Sequence, residues 1–272
     1  MIISILFGVI AFVTYLLATI LIVRSIFIAP VEHRTPKVSA YLLPAWIAAV
    51  AHAAMLIDSL WSNAGINFSL PGTAALIILI IVLILLITAL NKPVEKLGLL
   101  IFPLAAIVLV LALVFPQQSQ HPHANSVGMQ IHIFSSIIAF SLLNIAAVQA
   151  ILLAIQDHQL HHHKSNRFIR SLPPIQTMES LLFQMIGAGM VLLTCSLVSG
   201  LMFVENLFAQ HLAHKTILSL LAWVLFCVLL WGRIRYGWRG KIAIRWTLGG
   251  FASLMLAYFG SRMVLELILQ RT

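Results

Sequence analysis

Residues 211–240 read HLAHKTILSLLAWVLFCVLLWGRIRYGWRG, and this stretch decides what kind of protein the chain is. It opens with His211 and His214, three residues apart, a spacing that on a helix puts both on one face. An apolar run from Ile217 to Trp231 follows, broken only by Ser219, and with its flanks it is long enough to cross a bilayer. It closes on Arg233, Arg235, Arg239 and Lys241, a cluster that prefers the cytoplasmic side of a membrane. The two ends are therefore chemically different, with imidazoles at one and fixed cations at the other.

The rest of the chain repeats this pattern. Of its 272 residues 61% are hydrophobic and only 8% charged, against about 25% charged in a soluble domain. Such a chain cannot cover itself in water and belongs in a membrane. Charges and turn residues cut it into apolar blocks, most of them as long as the roughly 20 residues of a spanning helix, which excludes a β-barrel. The expectation is an all-α polytopic bundle of eight transmembrane helices, a single integral-membrane domain over residues 1–272. The crossings are expected at roughly 2–23, 40–61, 73–90, 97–115, 128–155, 180–204, the opening stretch, and 244–269.

Lysine and arginine orient the bundle. Arg24, Arg34 and Lys37 follow the first crossing, Lys92 and Lys96 the third, and Lys164, Arg167 and Arg170 the fifth. With the five after the seventh crossing, thirteen of the sixteen cations lie on one side. That side is cytoplasmic, which puts both termini in the periplasm. The same placement explains the net charge of +9 without any nucleic acid. Cys195 and Cys227 lie inside apolar runs, and there is no CxxC, haem-attachment motif or disulfide framework. No nucleophile with a base, phosphate-binding loop or dinucleotide fingerprint is present, so no enzyme is expected.

Polar residues inside crossings are costly and need a partner or a purpose. His132 lies about one turn into the fifth crossing and His214 opens the seventh, so two imidazoles stand near the same face. Neutral imidazoles converging from two helices can ligate a haem iron axially, and bundle interiors are where such sites are built. Each can equally be an interfacial histidine meeting water. His52, near the middle of the second crossing, can serve as a ligand, a proton relay or a structural hydrogen-bond partner. Arg262 and Glu266 are spaced to pair with each other; Arg262 can instead meet Asp58 or a haem propionate, whose carboxylate suits a guanidinium fork. His158, His161, His162 and His163, in DHQLHHHK, are expected in a solvated cytoplasmic loop, since no cysteine or well-placed acid completes a metal site. His121 and His123 are expected in an outer loop.

Four segments carry a resemblance. They are IHIFSSIIAF from 131, SLPPIQTMESLLFQMIGAGMVLLTCSLVSG from 171, HKTILSLLAWVLFCVLLWGRIRYGWRGKIAIRWTLGGF from 214, and AYFGSRMVLE from 257. With them the chain, over roughly 128–270, resembles the membrane haem-handling family of cytochrome c assembly proteins, whose best-known branches are CcsA and CcmC. It is most similar to the small eight-span YpjD/HemX-like branch. The resemblance implies that His132 and His214 are the two outer-face histidines flanking the family's haem-presenting loop, with His52 a within-membrane candidate. Larger members carry a tryptophan-rich loop between the crossings that here are sixth and seventh; this chain has FVENLFAQHLAH, without tryptophan. Haem binding is thus implied without the handover that loop performs.

The expectation is a haem b-binding protein of the bacterial inner membrane that serves cytochrome c assembly or haem handling at the periplasmic face. Its partners would be the lipid bilayer, haem, and other cytochrome assembly or haem biosynthesis proteins. The alternatives are a metal-ion or small-solute transporter using His52, Asp58 and Arg262, and a membrane regulator of haem biosynthesis.

Overall fold

The computed structural model describes residues 2–27, 39–62, 65–66, 70–115, 127–161, 167–203 and 213–260. The chain divides into two compact units, Met1–His123 with His163–Pro173, and Ala124–His162 with Pro174–Thr272. Two of these boundaries fall in polar stretches, PQQSQHPHANS from 116 and DHQLHHHKSNR from 157, of the same kind as those that separate the other apolar blocks.

In the first unit α1 (Ile2–Phe27) and α2 (Ser39–Leu60) are followed by a minimal antiparallel pair, β1 (Trp61–Ser62) and β2 (Gly65–Ile66), and by α3 (Leu70–Asn91). A 3-10 turn, Glu95–Leu97, leads into α4 (Gly98–Val114). α1 packs on α2 and α4, and α3 on the same two, so the four close a ring. Ala11, Tyr15, Ala18 and Ile22 form the inward stripe of α1 at helical spacing, all fully buried. Val9, Val13 and Ile20 face outward, where lipid makes apolar exposure cost nothing. The short helix α6 (Arg167–Ser171) belongs to this unit, and Arg167 Nη1 donates to the Phe27 carbonyl at 2.6 Å.

The second unit holds α5 (Val127–His161), α7 (Ile175–Phe203), α8 (Ala213–Tyr236) and α9 (Lys241–Met255), the last running into a π-helical turn, Leu256–Gly260. α5 packs chiefly on α7 and α9, and α8 on the same two, so α5 and α8 stand at opposite corners. Hydroxyls inside the helices are satisfied by the carbonyl one turn back, as Ser141 is by Ile137 (2.8 Å) and Thr247 by Ala243 (2.8 Å).

Six helices among the described residues are long and apolar enough to cross a membrane: Ser4–Phe27, Pro71–Asn91, Glu95–Val114, Gly128–His161, Ile175–Met202 and Lys215–Tyr236. They correspond to the first, third, fourth, fifth, sixth and seventh expected crossings. The second is helical as α2, though its apolar part, Leu42–Ile57, is shorter than the others. The eighth begins as α9, and its last part lies outside the described residues. The protein is an all-helical, multi-pass membrane protein.

One boundary differs from the expectation. α5 does not stop near residue 155 but continues through His161, so His158 and His161 sit on its last turns and not in a loop. Asp157, His158 and Gln159 are polar without being helix breakers, and nothing in DHQLH forces the backbone out of the helix.

Candidate functional site

His132 is half-buried on the first turns of α5. Its Nδ1–H donates to the carbonyl of Ser196 on α7, at 2.7 Å, and Ser196 Oγ lies 3.4 Å from the same nitrogen. A carbonyl can only accept, so Nδ1 holds the proton and Nε2 keeps its lone pair in the neutral ring. Among the described residues no hydrogen bond is made to Nε2. The ring lies over Gly200: a Cβ there would stand 2.9 Å from Cε1 and 3.0 Å from Nδ1. Ser135 and Ser136 turn their hydroxyls back onto the helix, Ser135 to the Ile131 carbonyl at 2.6 Å and Ser136 to the His132 carbonyl. Neither competes for the ring. The result is an imidazole of fixed tautomer with one nitrogen free, the state in which histidine ligates a metal.

His214 is the second residue of α8, and its side chain lies outside the described residues. Its height follows from the backbone. Trp223 Nε1 donates to Thr194 Oγ1 at 2.9 Å, which sets α8 against α7. α7 and α8 are consecutive crossings with a short connection, so they run antiparallel. Six residues from Thr194 toward the end of α7 is Gly200, beneath His132; six from Trp223 toward the start of α8 is Ile217. His214 is three residues further out, about 4.5 Å at about 1.5 Å per residue. His132 and His214 therefore start from opposite corners of the second unit at nearly one level.

His52 lies on α2 in the first unit, fully buried and facing α1. The Tyr15 hydroxyl is 3.3 Å from its Nδ1, the two rings meet edge to face at 6.0 Å, and Phe102 stacks on Tyr15 at 6.1 Å. Its Nε2 is buried without a hydrogen-bond partner among the described residues. The structural role expected of His52 is thus present, and one nitrogen is left over. Asp58 lies in α2 with its side chain outside the described residues; His121, His123, His162, His163, His211, Arg262 and Glu266 lie outside them altogether. No group of three or more histidine, cysteine or acidic side chains able to hold a metal occurs among the described residues.

The GWRG turn between α8 and α9 is held in place by three contacts. Gly237 (φ 67°) and Gly240 (φ 55°) adopt the left-handed conformations that end one helix and lead into the next. Arg233 donates to the Trp238 carbonyl at 3.1 Å while its guanidinium lies 4.7 Å over the Phe183 ring. The buried Glu179 of α7 accepts the Gly240 N–H at 2.6 Å, at the amide preceding α9. Trp238 packs in addition over Gly232 and tilts against Trp246.

Tyr15, Ser196, Gly200 and Glu179 had no part in the sequence-based site. Glu179 alone carried a signal, as an acid at the head of an apolar block. Ser196 acts through its carbonyl and Gly200 through what it lacks, neither of which a residue type announces.

The family described as cytochrome C assembly protein matches residues 40–269. The match takes in α2 to α4 as well as the region from 128, so it includes His52. The inner membrane protein YpjD of Escherichia coli K12 is 35% identical over 229 residues, covering 84% of this chain and 87% of that protein. A cytochrome c biogenesis protein CcsA of Prochlorococcus marinus is 28% identical over 112 residues, 39% of this chain and 36% of that one. No solved structure matches the chain. The chain belongs to the family of cytochrome c assembly proteins.

Proposed function

We propose that this protein handles haem in the bacterial inner membrane in the service of cytochrome c assembly, with haem b as its cargo. Its axial ligands would be His132 and His214, close to the periplasmic face, in a bundle of eight crossings with both termini outside the cytoplasm. The observation that carries this reading is the His132 ring, whose Nδ1–H is committed to the Ser196 carbonyl and whose Nε2 has no hydrogen-bond partner among the described residues. The glycine under the ring supports it too, because a side chain at 200 would displace the imidazole. So do the names of the relatives: an inner membrane protein covering most of its length, and cytochrome c biogenesis proteins over shorter stretches.

In this reading Arg262 meets a haem propionate, and His52, with its unpartnered Nε2, is a second, within-membrane ligand position. The protein makes and breaks no bond of its own. Purification from haem-replete cells, followed by an absorption spectrum, tests it. A Soret band is expected, together with lowered c-type cytochromes in a deletion strain. A protein that stays colourless after haem is supplied overturns the reading.

A further inference from the structure

The last turns of α5 and the first turns of α9 line a half-open cavity of ≈ 400 Å³. Its floor is apolar, made by Ala154 and by Ile244, which is buried. Its rim is Asp157, His158 and His161 from α5, and Lys241 and Arg245 from α9. Both sets are at helical spacing, i, i+3 or i, i+4, so each presents one side to the cavity. The overrun of α5 beyond residue 155 builds half of it.

The charges do not cancel. Lys241 and Arg245 bring two fixed positive charges against the single carboxylate of Asp157, which leaves the rim net positive; His161 Nδ1 lies 2.8 Å from the Asp157 carbonyl and 3.4 Å from its Oδ1. Glu179, the other acid near the start of α9, is held by the Gly240 amide. The cavity is therefore cationic at the mouth and apolar at the base, at an end of two membrane helices. Among the described residues no metal-holding group of side chains lies there, and an anion is the ligand this rim suits. Basic pockets between helices at a membrane surface take up anionic headgroups, with arginine bracing phosphate oxygens.

We propose that this cavity binds a phosphate group, supplied by the headgroup of an acidic phospholipid. The apolar floor receives the first carbons of the lipid, and Lys241 and Arg245 take the phosphate. The site is independent of haem.

Native mass spectrometry of the detergent-purified full chain with phosphatidylglycerol tests it. The wild type is expected to retain the lipid, and the K241Q/R245Q variant to bind it roughly tenfold or more weakly, since each cation at a membrane surface contributes about 1 kcal/mol. Arg239→Gln, which removes a cation from the same end but not from the rim, should bind as the wild type does. Undiminished binding by K241Q/R245Q overturns the proposal, as does an equal loss in Arg239→Gln or equal binding of zwitterionic phosphatidylcholine. If the double variant fails to fold, Lys241→Gln and Arg245→Gln are measured singly, each expected to weaken binding about threefold or more. Adding inorganic phosphate separates the sources. Displacement at millimolar concentration assigns the rim to phosphate in general; lipid binding that persists assigns it to the headgroup with its chains.

Discussion

The imidazole of His132 rests on Gly200 so closely that a Cβ at residue 200 would stand 2.9 Å from the ring. α5 and α7 meet here through a ring lying on bare backbone. Gly200→Ala should push the ring aside and break its bond to the Ser196 carbonyl. Overpacking of this kind costs about 1–3 kcal/mol. The expected outcome is a lower thermal unfolding midpoint in detergent together with a weaker Soret band. An alanine variant unchanged in both would show that the ring has other room.

Direct ligation makes a stricter demand on His132 and His214. Replacing either by alanine should remove most of the Soret absorbance. Adding free imidazole should restore a large part of it, because the added ring can enter the space the side chain leaves. A variant that loses haem and is not rescued would point to misfolding. A variant that keeps haem unaltered would exclude that histidine as a ligand. Arg262→Gln should leave the Soret position in place and weaken haem retention, read as haem lost on gel filtration.

Tyr15 and His52 test the first unit in isolation. Tyr15→Phe keeps the ring that stacks on Phe102 and removes the hydroxyl, which leaves the buried His52 Nδ1 without its partner. An unsatisfied buried group of this kind costs about 1–3 kcal/mol. Placing Tyr15→Phe on a His52→Leu background should cost much less, because nothing remains to be satisfied. Equal losses in the two backgrounds would mean the hydrogen bond contributes nothing.

Glu179 tests the α8–α9 turn. Its carboxylate takes the Gly240 N–H at the head of α9, where a helix favours a negative charge. Glu179→Ala is expected to lose about 1–2 kcal/mol of stability. Gly240→Ala should lose a similar amount for a different reason, the left-handed backbone at φ 55°. Both are read as shifts in the unfolding midpoint with the haem spectrum kept as a control for global damage.

The helices were legible in the sequence because apolar blocks of spanning length leave few alternatives, and each expected crossing begins within about five residues of the start of an observed helix. The end of α5 was not, since Asp157 and His158 are as acceptable on a solvated helix as in a loop. His132 and His52 could be singled out as polar groups inside apolar crossings, but their partners could not: one is a backbone carbonyl, and the other is Tyr15, thirty-seven residues away. The division into two units was not legible either, because the polar stretch around His123 looks like the other connections between apolar blocks. Hydropathy reports where the chain meets lipid. It does not report which helix a given side chain meets.

α5 has 35 residues, a rod of roughly 50 Å, while the hydrocarbon of a bilayer is about 30 Å thick. Even if tilted, it must break the surface at one end or both. Spin labels placed along it will pass from water into lipid and back into water within one uninterrupted helix. The two crossing points yield the tilt, and a membrane-impermeant quencher added to sealed vesicles tells which end emerges on which side.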